Sequence, residues 1–429
     1  MALRCLGEMR EAGLPVRAAV YTADPIGAGG EGTYRRGMLE HASARFGVGI
    51  SPDLPLTFVP VGGGRGGGDR PVRRTLAGEA ARTAGLAWGA LSRCCPDVYV
   101  DTTGAAFAYP VARILAGCRV AAYVHYPFVS TDMLALVWER RPSPSHGHEH
   151  GGGASASAST LRTHAKLAYY TLLAVAYGAV GGLCHLAMAN SSWTGGHVRS
   201  LWRWAAARGR VRVVFPPCDT RSLEDLPLGG REDVVLSIGQ FRPEKDHALQ
   251  LRAFARMLER HPEMRERGPR LVLLGSCRGE ADEARVRWLR GMAGDLGVGG
   301  AVEFVLNQPY PVLRGWLGRA SAGLHTMWNE HFGIGVVEMM AAGLVAIAHD
   351  SGGPRADIVV PAPDGGRTGY LASTVDGYAD AMHLALGGGP DCGETLLIRR
   401  RARESAKRFS DQVFADSFKR ALIESGILR

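Results

Sequence analysis

The chain has 429 residues, which at roughly 150 residues per domain predicts two or three domains rather than one. Hydrophobic residues make up 46% and charged residues 21%, so the composition is that of a globular protein and excludes a disordered one. The net charge of +9 suits an anionic ligand, a nucleic acid or an acidic membrane surface. Because the basic residues are scattered and lack the aromatic motifs and Cys/His spacings of common nucleic-acid modules, we expect no nucleic acid as a partner.

The amino-terminal segment, MALRCLGEMREAGLPVRAAVYTAD, predicts a helix that runs into a strand. It has neither the apolar core nor the cleavage site of a signal peptide. The eight cysteines form no CxxC pair, and their density is far below that of a disulfide scaffold. We therefore expect free thiols and a reducing compartment.

Short β-branched runs alternate with helix-like stretches along most of the chain, which predicts parallel sheets wrapped by helices. The runs are VRAAVYTA, DVYVDTT, RVAAYVHYP, LAMAN and VRVVFPP, then VVLSIGQF, RLVLLGS, AVEFVL, AGLHTMW and LVAIAHDSGG. A polar connector, RSLEDLPLGGRED, separates the two sets. We predict an α/β fold of two doubly wound, Rossmann-like domains, with ligands at the carboxyl ends of the strands in the cleft between them. The predicted boundaries are an N-terminal domain at 1–220, a linker at 221–232, a C-terminal domain at 233–408 and a final helix at 409–429.

Three segments resemble low-complexity insertions, at 61–70, 143–159 and 386–394. The second contains His146, His148 and His150, and histidines at such spacing raise the question of a metal site. A site needs ligands in fixed geometry, which a Gly/Ser-rich loop does not provide. We predict a disordered surface loop and no metal.

The stretch from 167 to 189 carries no formally charged residue, and as one helix it would reach across a bilayer core. Its end, HLAMANSS, instead predicts a strand and a turn, and three glycines interrupt the run. We predict a buried or membrane-surface helix here, with a true membrane span as the alternative.

The segment SIGQFRPEKDH predicts a strand that ends at Gly239 and a tight turn that carries Arg242 and Lys245. Cations at a strand end are suited to a diphosphate leaving group. We predict that Gly239, Arg242 and Lys245 bind the diphosphate, with two surface charges as the alternative.

The segment HTMWNEHFGIGVVEMMAAG predicts a strand end, a loop with Glu330 and a helix that contains Glu338 about two turns inside. The glycines place backbone N–H groups at the start of this helix, where phosphate binds well. One acid would hold sugar hydroxyls and the other ribose hydroxyls. The alternative is a solvated loop acid and a helix-surface acid.

A third glycine turn, SGGP, follows the buried run LVAIAHD, and we predict that Ser351 and Gly352 contact the nucleotide. Three phosphate-friendly strand ends in one domain predict a nucleoside diphosphate ligand. The chain has no Walker A sequence and no well-placed GxGxxG, which counts against an ATPase or a dehydrogenase. The segment most similar to GxGxxG, GAGGEG, has its glycines at the wrong spacing for that motif.

Glu330 and Glu338 match an E-x7-E pattern, and on this pattern the chain resembles the retaining glycosyltransferases of family four, which have the GT-B architecture. Six segments, one of which contains this pattern, are similar to the eukaryotic α-1,2-mannosyltransferases that extend dolichol-linked Man3GlcNAc2 with GDP-mannose. They are YVHYPFVSTDML, NSSWT, VVFPPCDT, SIGQFRPEKDH, TMWNEHFGIGVVE and AHDSGGPRADIVV.

The resemblance implies that Glu338 binds the ribose of GDP and Glu330 the transferred mannose, with the backbone amides of Phe332 and Gly333 near the sugar and phosphates. Gln240 stands where most of the wider family has an Arg, so Arg242 would reach the diphosphate from two residues further on. The predicted catalytic residues are Glu330, His125, Lys245 and Arg242. His125 would lie against the donor sugar, with a histidine packed in its turn as the alternative. The acceptor side would carry Ser130, Thr131 and Asp132.

The implied reaction is mannosyl transfer with retention, by a front-face mechanism, without a metal or other cofactor. The implied partners are GDP-mannose, a dolichyl-diphosphate oligosaccharide and the cytosolic face of the endoplasmic reticulum membrane, and a complex with other mannosyltransferases of the pathway is left open. The rivals are another family-four transferase that forms sucrose or glycolipids, a sugar-nucleotide epimerase of the same architecture, and a non-catalytic scaffold.

Two further expectations concern the ends of the chain. Relatives begin with a membrane-anchoring helix and a first strand ending in a glycine run, neither of which is present, so we expect this chain to be unstable or inactive and a form extended upstream to be active. At the other end, Ser410 is the predicted N-cap of a helix with Val413, Phe414, Phe418 and Leu422 on one face. In GT-B proteins this helix packs back on the N-terminal domain, and a surface helix is the alternative.

Overall fold

The computed structural model describes residues 1–22, 30–46, 49–61, 75–128, 160–389 and 392–428. The strands of the N-terminal half are β1 (Ala18–Thr22), β2 (Leu56–Pro60), β3 (Val98–Asp101), β4 (Arg119–Val124), β5 (Leu186–Ala189) and β6 (Val211–Val213). The strands of the C-terminal half are β7 (Glu232–Ile238), β8 (Arg270–Gly275), β9 (Val302–Leu306), β10 (Ala320–His325), β11 (Val345–His349) and β12 (Gly369–Ala372). The ten predicted runs correspond to all of these except β2 and β12, which were missed.

Helices alternate with the strands, as the sequence predicts. The N-terminal half contains α1 (Ala2–Glu11), α2 (Gly30–Phe46), α3 (Leu76–Leu91), α4 (Thr160–Gly181), α5 (Ser192–Leu201) and α6 (Arg203–Ala207). The C-terminal half contains α7 (His247–Arg260), α8 (Pro262–Arg267), α9 (Glu280–Asp295), α10 (Tyr310–Arg319), α11 (Ile334–Ala342), α12 (Val375–Leu386), α13 (Gly393–Ala406) and α14 (Asp411–Glu424).

The C-terminal domain is built on a six-stranded parallel sheet in the order β12-β11-β10-β7-β8-β9. Successive residues of its strands face opposite sides: Val235 belongs to the core under α7, α9 and α12, and Leu236 to the core under α10, α11 and α13. The chain leaves the sheet centre in one direction after β7 and returns to the other side at β10. The gap between the carboxyl ends of β7 and β10 is therefore the switch point at which such sheets bind ligands.

The described strands of the N-terminal domain form two separate parallel sheets. One contains β1 and β2, and the other has the order β3-β4-β5-β6. Among these strands, β1 pairs only with β2, and β3 pairs only with β4. The core of the larger sheet contains the buried rings of Tyr109, Tyr177 and Trp202. Gly181 lets this indole lie against α4, since a Cβ there would come within 2.3 Å of the Trp202 ring.

The uncharged run at 167–189 divides into α4 and β5, as predicted. The predicted interruption by glycines is wrong for Gly178, because α4 continues through it and ends at Gly181. Along α4, Leu173, Ala174 and Tyr177 are buried, while Leu172 and Val175 are 71% and 65% exposed. Within the described ranges, no helix has both the length and the apolar character needed to cross a bilayer.

The last helix, α14, begins at the Ser410 N-cap, whose hydroxyl accepts a hydrogen bond from the Val413 backbone N–H. It packs on α1 and β5, and its Phe414, Phe418 and Leu422 join a core with Tyr123 and Met188 of the N-terminal sheet. Val413 lies outside this core and is 40% exposed.

Candidate active site

Two of the predicted site residues meet at the switch point of the C-terminal sheet. The turn after β7 carries Lys245, and the loop after β10 carries Glu330. The Lys245 Nζ lies 2.8 Å from Glu330 Oε2, and the two side chains are 24% and 16% exposed. The structure therefore joins two predicted residues that are 85 positions apart in a partly shielded ion pair.

The Glu330 carboxylate is held by donors on both oxygens. Oε2 accepts from Lys245 and lies 3.1 Å from His325 Nε2, while Oε1 accepts from the backbone N–H of His331 at 3.2 Å. Burial alone would raise the pKa of Glu330, but the hydrogen bond from His325 and the Lys245 ammonium hold it well below its usual range. Glu330 is therefore an anion at neutral pH.

The backbone of both loops is fixed by hydrogen bonds between them. The Thr326 hydroxyl donates to the Lys245 carbonyl at 2.8 Å and accepts from Gln250 Nε2 at 2.9 Å. Asp246 is left-handed, with a φ of 44°, and its carboxylate caps α7 by accepting from the Leu249 N–H. A left-handed residue other than glycine costs conformational energy, which these contacts offset.

The third predicted turn, after β11, supports the Glu330 loop. Ser351 Oγ accepts from the backbone N–H of Asn329 at 2.8 Å, and the Gly353 N–H donates to the Glu330 carbonyl at 2.7 Å. Gly352 has a φ of +61°, and a Cβ there would lie 2.3 Å from the Glu330 carbonyl oxygen. Ser351 and Gly352 thus hold the loop in place, and their contact with a nucleotide stays a prediction.

Helix α11 begins directly after this loop, with Gly333 at its N-cap in the left-handed region, at a φ of 110°. No side chain caps this end, so its first N–H groups are available to an anionic ligand. The preceding Phe332 is buried between the rings of Phe215 and Phe409, which come from the two crossings between the domains. The ring of Phe332 is thus structural, and only its amide remains for the predicted ligand contact.

Glu338 is the fifth residue of α11, about one helical turn inside and not two as predicted. Burial raises the pKa of its carboxyl to about 7, and the charge of Asp219 adds to the effect. Near neutral pH this carboxyl is partly protonated, which makes it a hydroxyl-binding group that can donate as well as accept.

Gly239 and Arg242 differ in their contacts with the rest of the site. The stem of Lys245 lies over Gly239, 3.5 Å from where a Cβ would stand. The Arg242 side chain is exposed, and its guanidinium makes no hydrogen bond or ion pair with the part of the chain that the structure describes. It is available to a ligand, and its diphosphate role stays a prediction.

His125 follows β4 at the carboxyl edge of the N-terminal sheet. Its ring packs edge-on against Tyr123, and it makes a hydrogen bond with the backbone of Thr102. Burial lowers the pKa of His125, against the opposing effect of the Thr102 hydrogen bond, so the imidazole is neutral near pH 7. Ser130, Thr131 and Asp132 lie outside the described residues.

Contacts between the domains close the cleft beside the Glu330 loop. The ring of Tyr126, next to His125, stacks on His331, next to Glu330, at a centroid distance of 4.0 Å. Trp193 lies nearly parallel to both rings. The Asp357 carboxylate accepts from the backbone N–H of Ser192 at 2.8 Å. These contacts bring the two predicted halves of the site face to face.

The sequence reasoning missed these interdomain residues and His325, although the quoted motifs contained them. YVHYP includes Tyr126, NSSWT includes Trp193, and PRADIVV includes Asp357. A chemical signal was present for His325, a histidine at the end of a predicted buried strand. For the others, only the relative position of the domains reveals the contact.

Two family models match the chain. The model described as ALG11 mannosyltransferase N-terminus matches residues 5–202, and the model described as Glycosyl transferases group 1 matches residues 220–392. The first match lies in the N-terminal domain and the second in the C-terminal domain, and residues 203–219 lie between the two matches.

Curated relatives match both domains. A protein of Mus musculus named GDP-Man:Man(3)GlcNAc(2)-PP-Dol alpha-1,2-mannosyltransferase is 46% identical over 348 residues, which span 80% of this chain and 68% of that protein. The protein of the same name from Homo sapiens is 44% identical over 350 residues, with the same coverage of 80% and 68%. The protein of that name from Dictyostelium discoideum is 39% identical over 352 residues, covering 81% and 67%.

Solved structures share the fold at low identity. A glycosyltransferase from Rickettsia africae superposes with a TM-score of 0.62 at 10% identity, covering 99% of this chain and 93% of that one. An α,α-trehalose 6-phosphate synthase from Burkholderia multivorans gives 0.64 at 14% identity, covering 95% and 98%. At such low sequence identities the similarity is evidence for the fold only, and it confirms the predicted GT-B architecture.

Proposed function

The chain belongs to the family of GDP-Man:Man(3)GlcNAc(2)-PP-Dol α-1,2-mannosyltransferases, and from this membership we propose that it transfers mannose from GDP-mannose to a dolichyl-diphosphate oligosaccharide. The product linkage is α-1,2, and the acceptor Man3GlcNAc2 is extended towards Man5GlcNAc2. The anomeric configuration of the mannose is retained.

The observation that carries this proposal is the Lys245–Glu330 pair at the switch point. A donor diphosphate bound there meets the Lys245 ammonium, the Arg242 guanidinium and the open N-terminus of α11. These groups stabilise the negative charge that develops on GDP as its bond to the mannose breaks. The carboxylate of Glu330 accepts from the mannose hydroxyls, and Glu338 binds the ribose.

The acceptor hydroxyl attacks the same face of the mannose that GDP leaves, so the configuration is kept without a covalent sugar-enzyme intermediate. Its proton passes to the departing phosphate on that face. In this proposal the protein cations serve where other transferases use a metal ion, and the reaction needs no cofactor. His125 approaches the donor sugar from the N-terminal domain, and Ser130, Thr131 and Asp132 belong to the acceptor side.

We place the reaction at the cytosolic face of the endoplasmic reticulum membrane, where a dolichyl-linked acceptor is presented. Residues 160–218 support this position, because they contain seven Lys and Arg residues and no Asp or Glu. In the same segment Leu172, Val175 and Trp204 are exposed. Exposed apolar side chains in a segment that has basic but no acidic residues are suited to an anionic bilayer surface.

A transfer assay with labelled GDP-mannose and a lipid-linked trimannosyl acceptor tests the proposal. We expect radiolabel in a lipid-linked product that α-1,2-mannosidase removes, and no product with UDP-glucose. Glu330→Gln should abolish transfer, while Glu404→Gln, in a surface ion pair with Lys407, should not.

The rivals give different outcomes in the same assay. Another family-four transferase prefers a different nucleotide sugar or acceptor. An epimerase converts the labelled donor without any acceptor. A scaffold supports function in cells after Glu330→Ala or Lys245→Ala, whereas the enzyme loses it in both.

A further inference from the structure

His325 occupies a place in the site that the proposed roles leave unexplained. It is the last residue of β10, is 6% exposed, and lies behind the Glu330 carboxylate with Nε2 3.1 Å from Oε2. Its backbone carbonyl faces the Tyr378 hydroxyl of α12 at 3.4 Å. The ring is therefore held by a central strand and its core, and it has little freedom to move away.

Lys245, which shares the same carboxylate oxygen, is placed very differently. It lies on a turn, its Nζ reaches Glu330 Oε2 and Met327 Sδ at the end of a flexible stem, and its side chain is 24% exposed. A lysine ammonium rotates readily towards a phosphate. A diphosphate also carries more negative charge than one carboxylate, so the bound donor competes for this ammonium.

If Lys245 turned to the diphosphate and nothing else held Glu330, a largely buried carboxylate would keep only the N–H of its neighbour His331. Burial without donors disfavours the anion and frees the side chain to rotate. A second hydrogen-bond donor, one that stays in place when the diphosphate binds, is therefore required to keep Glu330 Oε1 directed at the sugar.

The environment of His325 fits that requirement. Its Nδ1 is buried and has no hydrogen-bond partner among the described residues. Among these residues the ring therefore makes its side-chain hydrogen bond through Nε2, which faces Glu330 Oε2. His325 thus offers Glu330 a hydrogen bond from a ring that is buried and held in place.

We propose that His325 is the positioning residue that keeps the Glu330 carboxylate in place while Lys245 moves to the donor diphosphate. This inference rests on the proposed function. Before the donor binds, Lys245 and Glu330 pair with each other. Binding of the donor replaces this ion pair with two separate interactions, one between Lys245 and the phosphate and one between His325 and Glu330.

The test compares His325→Leu, which removes the donor at similar volume, with His325→Gln, which restores an N–H. We expect His325→Leu to lower kcat by about 100-fold with the donor KM within about two-fold of wild type, and His325→Gln to recover about ten-fold of the loss. Calorimetry should show unchanged GDP affinity in His325→Leu and weaker GDP binding in Lys245→Met. His185→Leu, which removes a half-buried histidine at the amino end of β5, is the matched control and should keep kcat.

Equal losses in the Leu and Gln variants, or full activity in His325→Leu, would overturn the proposal. Should wild type transfer no mannose, the proposed function fails, and a GDP-bound structure then decides this inference separately. The positioning role of His325 is supported if, in that structure, His325 Nε2 stays within about 3.2 Å of Glu330 Oε2 while the Lys245 Nζ lies at the phosphates. It is overturned if Glu330 has moved away from His325, or if Lys245 still pairs with Glu330.

Discussion

The carboxylate of Asp357, in the C-terminal domain, accepts a hydrogen bond from the backbone N–H of Ser192, in the N-terminal domain, at 2.8 Å. Ser192 is the first residue of α5, so the carboxylate also lies at the positive end of a helix dipole. Asp357 is 5% exposed, and its own carbonyl accepts from Arg408 in the crossing back to the N-terminal domain. This one residue therefore connects both domains and the crossing beside them.

Asp357→Ala should open the cleft. The variant leaves the Ser192 N–H without its acceptor, at a cost of about 1–3 kcal/mol of interdomain stability, and the misplaced halves of the site should lower kcat by about ten-fold or more. Small-angle scattering should show a larger radius of gyration. Asp364→Ala, which removes a surface carboxylate paired with Arg401, is the control. An unchanged radius with full activity would contradict the interdomain role.

Lys245→Met should both inactivate and destabilise the protein. Glu330 keeps only His325 and a backbone N–H, so its pKa rises, and kcat should fall by about 100-fold or more because the leaving diphosphate loses its cation. Steady-state kinetics and urea unfolding measure the two effects. Lys407→Met, at the exposed pair with Glu404, should change neither. Retention of kcat in Lys245→Met would sink the proposed leaving-group role.

Gly352→Ala should be far more harmful than the same change at Gly365. Both glycines are left-handed, at φ +61° and +77°, but a Cβ at position 352 meets the Glu330 carbonyl whereas position 365 faces open space. We expect a loss of about 3 kcal/mol or more with loss of activity at 352, and about 1 kcal/mol with activity kept at 365. Urea midpoints and transfer rates check this, and similar midpoints for the two variants would argue against the close contact.

Glu338 should make stability and nucleotide binding depend on pH. Its folded pKa of about 7 lies above the ordinary value of 4.5, so the folded protein binds more protons and this group's contribution to stability is lost as pH rises from about 4.5 to beyond 7. Glu338→Gln should match wild type near pH 5 and exceed it by on the order of 2–3 kcal/mol at pH 8. Unfolding at both pH values measures this, with Glu404→Gln as the control, and a pH-independent difference would contradict it.

Binding of GDP offers a second readout of the same carboxyl. Ribose hydroxyls that donate to Glu338 favour its anion, so complex formation near pH 6.5 should release a proton. Calorimetry in buffers of different ionisation enthalpy detects this release, which should be absent in Glu338→Gln. Equal proton release in both proteins would place the ribose elsewhere.

The exposed face of α4 should bind anionic vesicles. Replacing both Leu172 and Val175 with glutamate removes apolar contact and adds repulsion, so the affinity for vesicles with phosphatidylserine should fall by about ten-fold or more. Flotation with vesicles measures the change. Leu397→Glu, at an exposed apolar position of α13, serves as the control. Equal flotation of wild type and the double variant would count against this membrane face.

The C-terminal sheet was largely predictable because its strands are long apolar runs bounded by glycine turns. The positions of Lys245 and Glu330 at two strand ends followed from the same pattern, and the topology then brings those ends together. By contrast, β2 and β12 were missed because the alternation of apolar and polar residues in LTFVP and GYLA is too weak to separate from a loop. The predicted depth of Glu338 was wrong, because the helix begins at Ile334 and Glu338 is its fifth residue, about one turn inside.

Contacts that depend on strand register or domain placement were beyond the sequence. His325 acts on Glu330 because the last residue of β10 turns its side chain towards the loop, and a shift of one position would turn it to the opposite face. The stack of Tyr126 on His331 joins positions 205 residues apart on different domains. No local propensity encodes such a contact, since it exists only once both domains have folded and met.

The placement of α14 has a consequence for how the protein is made. Its phenylalanines complete the core beneath β4 and β5, strands that leave the ribosome more than 200 residues earlier. During synthesis the apolar face of those strands stays uncovered by α14 until the C-terminal domain has been translated. The N-terminal domain is thus synthesised first, but its core is completed last, when α14 has been made. Chaperones can bind its uncovered apolar face during that interval.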